Sequence, residues 1–291
     1  GYSGIGKTSL VNEVLKGLTR QRGRFVSGKH DQFQRDIPFS AFIQAFRQLS
    51  HRILAEPEAL VVKWRLALLE ALGNNAQVII DVIPEMEHIL GRQPPAPDLG
   101  PTEAQNRFIM CMQRFIGVFA RREHPLVIFL DDLQWADAPS LNLIRTLTAD
   151  ASSHALLIIG AYRDNEVSPA HPLTLTVNSL HESGVAIRTV TLAPLLFADL
   201  RQMVADTLNR PPEEVEELSR LIEEKTGGNP FFVSQMLKDL HARGLYRLDS
   251  ESGCWLWDMA DIRTMGLTDN VVDLMAGRIS RMKPQTRQVL Q

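Results

Sequence analysis

The stretch Gly1-Tyr2-Ser3-Gly4-Ile5-Gly6-Lys7-Thr8 carries the densest chemical signal in this sequence. It matches the pattern G-x-x-x-x-G-K-[ST] at every position. Glycines at that spacing let the backbone curl tightly, so that successive N–H groups converge on phosphate oxygens. A helix opening at Thr8 adds the positive end of its dipole. Lys7 supplies a point charge suited to β- and γ-phosphates, and the Thr8 hydroxyl is of the kind that ligates Mg²⁺. The contrary reading is a glycine-rich loop that only caps a helix. It suits a lone G-x-G better than a complete motif ahead of an amphipathic helix.

Phosphoryl chemistry also needs an acidic anchor for the metal and a group that orients water. Leu126-Val127-Ile128-Phe129-Leu130 is a continuous apolar run ending in Asp131-Asp132, the pattern of a strand buried on both faces. Asp131 is expected to bind Mg²⁺, directly or through water. Asp132 is the candidate general base or water-positioning acid; the alternative is that the pair only caps a helix. A further apolar run leads into Gly160-Ala161-Tyr162-Arg163-Asp164. Arg163 is the candidate to face a γ-phosphate from the neighbouring strand, or else it forms a surface ion pair with Asp164 or Glu166. The expected ligands are ATP or ADP with Mg²⁺. Gly1, Ser3, Gly4, Ile5, Gly6, Lys7, Thr8 and Ser9 would hold the nucleotide, and Thr8 and Asp131 the metal.

Other chemistries find little support. The eight histidines show no H-x-x-x-H or H-E-x-x-H spacing, and His30 reads as a solvated loop residue. No Ser-His-Asp elbow is present. Cys111 and Cys254 give neither a metal spacing nor a disulfide framework, which fits a reducing, cytoplasmic setting. A net charge of −3 argues against bulk nucleic-acid affinity, which needs a basic face. No apolar run approaches the ~20 residues that span a bilayer.

The elements that must position these residues follow from periodicity. The chain of 291 residues is 44% hydrophobic and 22% charged, ample for a globular core. A helix is expected over 9–22, with Leu10, Val11, Val14, Leu15 and Leu18 on one face. Further helices are expected over 38–54, 58–72, 76–91 and 138–149. Another opens at Thr102, with Gln105 placed for a capping box. Strands are expected over 25–27, 126–130, 155–161 and 186–191, and the alternation implies a mostly parallel sheet with helices on both faces. After Pro194 the strands stop. Helices are expected over 197–208, 212–226 and 230–243, with Gly227 and Gly244 at their C-terminal ends. A hairpin is expected over 245–257, with Trp255 and Trp257 on one face, and a helix begins at Thr268.

Taken together, GYSGIGKT, LDDLQWAD, AYRDNE and TGGNPFF resemble the STAND branch of AAA+-like ATPases. The stretch GKHDQFQRDIPFSAFIQAFRQL is similar, more narrowly, to the ATPase segment of large bacterial and cyanobacterial signalling proteins. Those carry a Ser/Thr-kinase-like domain before the ATPase, and GAF and sensor histidine kinase domains after it. The resemblance implies an α/β P-loop NTPase with strand order 5-1-4-3-2 over 1–194, including a helical insertion at about 55–100. It implies a helical lid over 195–244, and over 245–291 the hairpin and the truncated start of a winged-helix region. Gly228-Asn229-Pro230 falls on the family's G-x-P motif, so Gly228 and Pro230 would contact the nucleotide; an ordinary glycine cap and proline start is the other reading. A P-loop comes after a strand, and this sequence opens on the loop itself, with that strand missing. It therefore reads as a fragment cut at both ends, expected to bind ATP poorly without upstream residues.

The function so implied is a slowly hydrolysing ATPase that acts as a nucleotide-dependent switch in a multidomain histidine kinase. Its partners would be other domains of the same polypeptide, with a nucleotide-dependent oligomer as a further expectation and no direct nucleic-acid contact. Protein-kinase motifs are absent from the sequence itself. The alternatives are the ATPase of a STAND-type transcription regulator and, more distantly, a small-molecule P-loop kinase.

Overall fold

The computed structural model describes residues 1–20, 23–33, 37–149, 155–251 and 253–264. They fall into two compact units, one of residues Lys7–Val190, the other of Gly1–Gly6 together with Thr191–Gln291.

The larger unit runs α1 (Lys7–Arg20), β1 (Arg24–Lys29), α2 (Ser40–Leu54), α3 (Glu58–Leu72), α4 (Ala76–Val82), α5 (Glu87–Leu90), α6 (Pro101–Phe119), β2 (Leu126–Asp131), α7 (Ala138–Ala149), β3 (Leu156–Gly160) and α8 (Pro172–Glu182). Its strands form a parallel sheet in the order β1-β2-β3. That order matches the run 2-3-4 of the implied arrangement; the implied first and fifth strands have no counterpart among the described residues. The central strand β2 is buried from Leu126 to Leu130, as its unbroken apolar run requires. The edge strand β3 is half-covered, and Leu157 is 52% exposed.

Residues 186–191 form no strand and are largely exposed. Strand character in such a run reflects the fit of a side chain to a pleated, half-buried surface, and among the described residues none pairs with it. The stripe on α1 also differs from expectation, because Leu10 and Val14 face solvent. The helix expected over 76–91 is broken where Ile83 leaves helical geometry ahead of Pro84, as the residue before a proline tends to do. The α6 helix begins with Gly100 as N-cap and Pro101 as first residue, and no side-chain cap forms. Proline's fixed φ suits that position, so the Thr102–Gln105 box is not made. The α8 helix is an element that sequence periodicity did not single out.

The mostly aliphatic core against the sheet holds a group of phenylalanines. Phe46 of α2 meets Phe115 of α6 at 5.1 Å between ring centroids, and Phe115 meets Phe119 at 5.2 Å. Both contacts are edge-on, the geometry the ring quadrupole favours. The α2 helix lies so close to β1 that a Cβ on Gly28 would overlap the Ala41 carbonyl. This approach fixes the C-terminal end of β1, where Lys29 donates its N–H to Gln44 Oε1 at 2.7 Å.

The smaller unit contains α9 (Phe197–Leu208), α10 (Glu216–Thr226), α11 (Pro230–Ala242), the antiparallel pair β4 (Tyr246–Leu248) and β5 (Trp255–Trp257), and α12 (Met259–Thr264). Leu200, Val204, Leu218, Ile222, Val233 and Leu240 are fully buried in its core. Gly227 and Gly244 follow α10 and α11 with φ of 58° and 73°, the left-handed conformation of helix C-terminal caps. The α10 helix begins at Glu216, after a turn over 212–215, rather than at 212. Trp255 and Trp257 are half-buried on the hairpin. The helix expected from Thr268 lies outside the described residues.

Candidate functional site

Parallel pairing aligns the C-terminal ends of the three strands, with Lys29 opposite Asp131 and Leu130 opposite Gly160. Ligands of parallel α/β sheets bind beyond such ends. The α1 helix starts at Lys7, and its second residue reaches the strand ends: the Thr8 hydroxyl donates to Asp131 Oδ2 at 2.8 Å. Asp131 Oδ1 accepts the Asp132 N–H at 2.9 Å. The two residues expected to hold the metal are thus in direct contact. Both offer hard oxygen donors of the kind Mg²⁺ takes. Burial lowers the Lys7 pKa; the carboxylates of Asp131, Asp132 and Asp164 oppose that effect, and Arg163 adds to it.

Asp132 is the most constrained of these residues. Its backbone is left-handed, with φ 52° and ψ 46°, which costs an L-residue about 1 kcal/mol or more and is best tolerated by Asn and Asp. It caps nothing with its side chain, so the capping alternative does not apply to it. Its carboxylate instead meets Lys29 Nζ at 3.1 Å and Arg163 Nε at 3.7 Å, and accepts from Gln134 Nε2 at 3.1 Å. Burial alone would raise its pKa. The Gln134 and Lys29 hydrogen bonds and the charges of Lys29 and Arg163 outweigh burial and hold it below the ordinary carboxylate range. Capping falls to Asp137, which accepts from the Ser140 N–H and hydroxyl, both at 2.7 Å.

Arg163 faces Asp132 and also pairs with Glu166 at 2.7 Å. Of the two roles weighed for it, the local ion pair with Glu166 is present, and its guanidinium also lies beside Asp132. His30 overturns expectation: it is 2% exposed, and its N–H donates to the Asp131 carbonyl. Burial lowers its pKa, partly offset by Asp137 and Asp132, and its Nε2 has no hydrogen-bond partner. It is a buried imidazole whose backbone continues the pairing of β1 with β2.

In the smaller unit, residues 1–6 turn with Gly4 and Gly6 at φ of 75° and 94°, values that favour glycine. A Cβ on Gly4 would come within 2.9 Å of Asn229 Oδ1 and of Phe231 Cβ. Asn229 caps α11, accepting from the Phe231 N–H at 3.1 Å, and donates through Nδ2 to the Ser3 carbonyl at 2.9 Å. The Phe231 N–H also reaches the Gly4 carbonyl at 3.2 Å. The first N–H of α11 is therefore engaged by the cap and the loop. Gly228 donates nothing to this contact; its carbonyl accepts from the Leu195 N–H, and Pro230 is the first residue of the helix. Gly1 and Ile5 lie in the same turn, where a Cβ on Gly1 would meet the Leu192 carbonyl at 2.8 Å and Ile5 is buried. Ser9 comes after Thr8 on α1 and is exposed.

Lys29 and Gln134 join the site at the strand ends through geometry that sequence did not single out. Lys29 ends β1 one residue past Gly28, and Gln134 lies inside LDDLQWAD. Their types are unremarkable until strand register and the turn after β2 are known.

The model of the AAA ATPase domain matches residues 1–159. The chain belongs to that family. This AAA ATPase chain is 30% identical to Hybrid signal transduction histidine kinase G of Dictyostelium discoideum, over 100% of its own length and 10% of that protein's. It is 24% identical to Peroxide stress-activated histidine kinase mak2 of Schizosaccharomyces pombe, over 89% of its own length and 12% of that protein's. The chain thus spans about a tenth of the relatives it matches. Among the described residues, no helix of this AAA ATPase chain is long and apolar enough to cross a membrane.

Proposed function

We propose that the chain binds ATP with Mg²⁺, hydrolyses it slowly, and serves as a nucleotide-dependent switch within a multidomain signalling protein of histidine kinase type. The observation that carries this reading is the Thr8–Asp131 hydrogen bond at 2.8 Å. It joins the last residue of the phosphate-loop motif to the end of the acidic strand, the two places that share a metal in P-loop proteins. Membership of the AAA ATPase domain family and two histidine kinase relatives support the setting.

In this reading Thr8 and Asp131 hold the metal, which when bound supplies positive charge beside the β- and γ-phosphates. Lys7 adds a second cation, and the N–H groups of the glycine turn bind phosphate oxygens. Asp132 takes the proton of, or orients, the attacking water. Arg163, just past the end of the neighbouring strand, balances charge at the γ-phosphate. Residues from Pro230 onward respond to the nucleotide as the lid. The slow rate stems from Asp132, whose carboxylate is already paired with the Lys29 and Arg163 cations.

Lys7→Ala tests the assignment. ATP affinity measured by calorimetry should fall at least about tenfold, the loss of one charge-assisted contact. Unaltered affinity would remove the basis for the reading.

A further inference from the structure

We propose that Gln134 is a positioning residue for the acidic group at Asp132, a role that rests on the ATPase reading. Gln134 is 3% exposed and sits in the short 3-10 turn, Leu133–Trp135, just after β2. Its amide is used at both ends. Nε2 donates to Asp132 Oδ1 at 3.1 Å, and Oε1 accepts the Arg163 N–H at 3.2 Å. The orientation of the amide is set by its partners, because a carboxylate only accepts and a backbone N–H only donates.

The placement has a structural cause. The β2–β3 ladder ends where Ala161 donates to the Leu130 carbonyl and Leu133 donates to the Ala161 carbonyl. Past that point Arg163 has left the strand, and its N–H needs an acceptor from outside the ladder. The turn also packs tightly, since a Cβ on Gly160 would strike the Leu133 side chain. Gln134 satisfies the Arg163 N–H and, with the same group, holds the Asp132 carboxylate, whose left-handed backbone leaves its direction to side-chain contacts. One amide therefore links the acid at the end of β2 to the segment just past β3.

Glutamine is the one common side chain of this length with a donor and an acceptor on one carbon. Gln134→Glu keeps an acceptor for the Arg163 N–H and sets a carboxylate against Asp132. Gln134→Met keeps the volume and removes both bonds. Two measurements on the whole chain decide the matter. The first needs no nucleotide: denaturant unfolding of Gln134→Met, Asp132→Ala and the double variant. The shift in midpoint caused by Gln134→Met should be roughly halved when Asp132 is absent, because contacting residues couple; additive shifts would overturn the proposal.

The second is the split between Mg-ATP affinity and turnover in Gln134→Glu. Affinity should stay within about twofold while turnover falls about tenfold or more, as a misplaced catalytic group predicts. Turnover within about twofold of the parent, or affinity falling in step with turnover, overturns the assignment. Should Gln134→Met fail to fold, Gln134→Glu decides alone. Failure of the ATPase reading gives a different result, ATP binding by Lys7→Ala equal to the parent, and the nucleotide-free cycle does not depend on it.

Discussion

The Lys29 ammonium lies 3.1 Å from the Asp132 carboxylate, joining the C-terminal ends of β1 and β2 by an ion pair. The Lys29 side chain is 61% exposed and that of Asp132 is 11% exposed. The pair therefore occupies the acid at little benefit to stability, since solvent-exposed pairs contribute about 0–1 kcal/mol. A carboxylate held this way is a weaker base than a free one. Lys29→Met should leave unfolding stability within about 1 kcal/mol and raise ATP turnover by up to about fivefold, the rate equivalent of that interaction. Turnover at saturating Mg-ATP, with unfolding midpoints, checks both. A fall in turnover would mean that Lys29 serves the substrate rather than restraining Asp132.

The close approach of α2 to β1 gives a second prediction. A Cβ on Gly28 would overlap backbone at Ala41, which cannot move aside as a side-chain end could. Gly28→Ala should destabilise the chain by about 3 kcal/mol, the upper range for overpacking. It should also loosen Lys29, whose N–H bonds Gln44. Chemical denaturation measures the first effect. Loss of the increase in turnover on adding Lys29→Met to Gly28→Ala reports the second.

These contacts show where sequence was informative and where it was not. The glycine turn ahead of α1 and the acidic strand are legible because each is a local pattern. Leu126 to Leu130 form a buried strand, as an unbroken apolar run must, and Asp131 ends it. The run over 186–191 has the composition of a strand without a ladder, because pairing is not a local property. Pro84 divides the expected helix, a break that its presence announced. His30 lies just past β1, where sequence suggests a solvated loop, yet its backbone N–H pairs with the Asp131 carbonyl and its side chain is buried. Gln134 and Lys29 matter only through register and the 3-10 turn, which no spacing of residue types encodes.

His30 makes the protein sensitive to mild acid. Burial holds its imidazole below the ordinary value, near 6.5 in an unfolded chain. On acidification the unfolded chain takes up this proton first, so stability is lost as pH falls below about 6.5. Asp137 and Asp132 soften the effect without reversing it. His30→Gln should lose less stability than the parent between pH 7 and pH 5. Urea unfolding at the two pH values makes the comparison, and equal losses would show that His30 protonates as freely in the folded state.

Asn229 performs two tasks that substitution can separate. Its Oδ1 caps α11 and its Nδ2 holds the Ser3 carbonyl of the glycine turn. Asn229→Asp keeps the acceptor, and a negative charge suits a helix N-terminus. It loses the donor and turns an oxygen toward Ser3. Asn229→Ala loses both. The alanine variant should be destabilised by about 1–2 kcal/mol through the lost cap, whereas the aspartate variant should unfold close to the parent. Both should bind ATP more weakly by about fivefold to tenfold, the cost of releasing one hydrogen bond that shapes the turn. Calorimetric affinities set beside unfolding midpoints make the distinction. If the aspartate variant binds ATP as the parent does, the Ser3 tie does not shape the phosphate loop, and the role of Asn229 reduces to capping its helix.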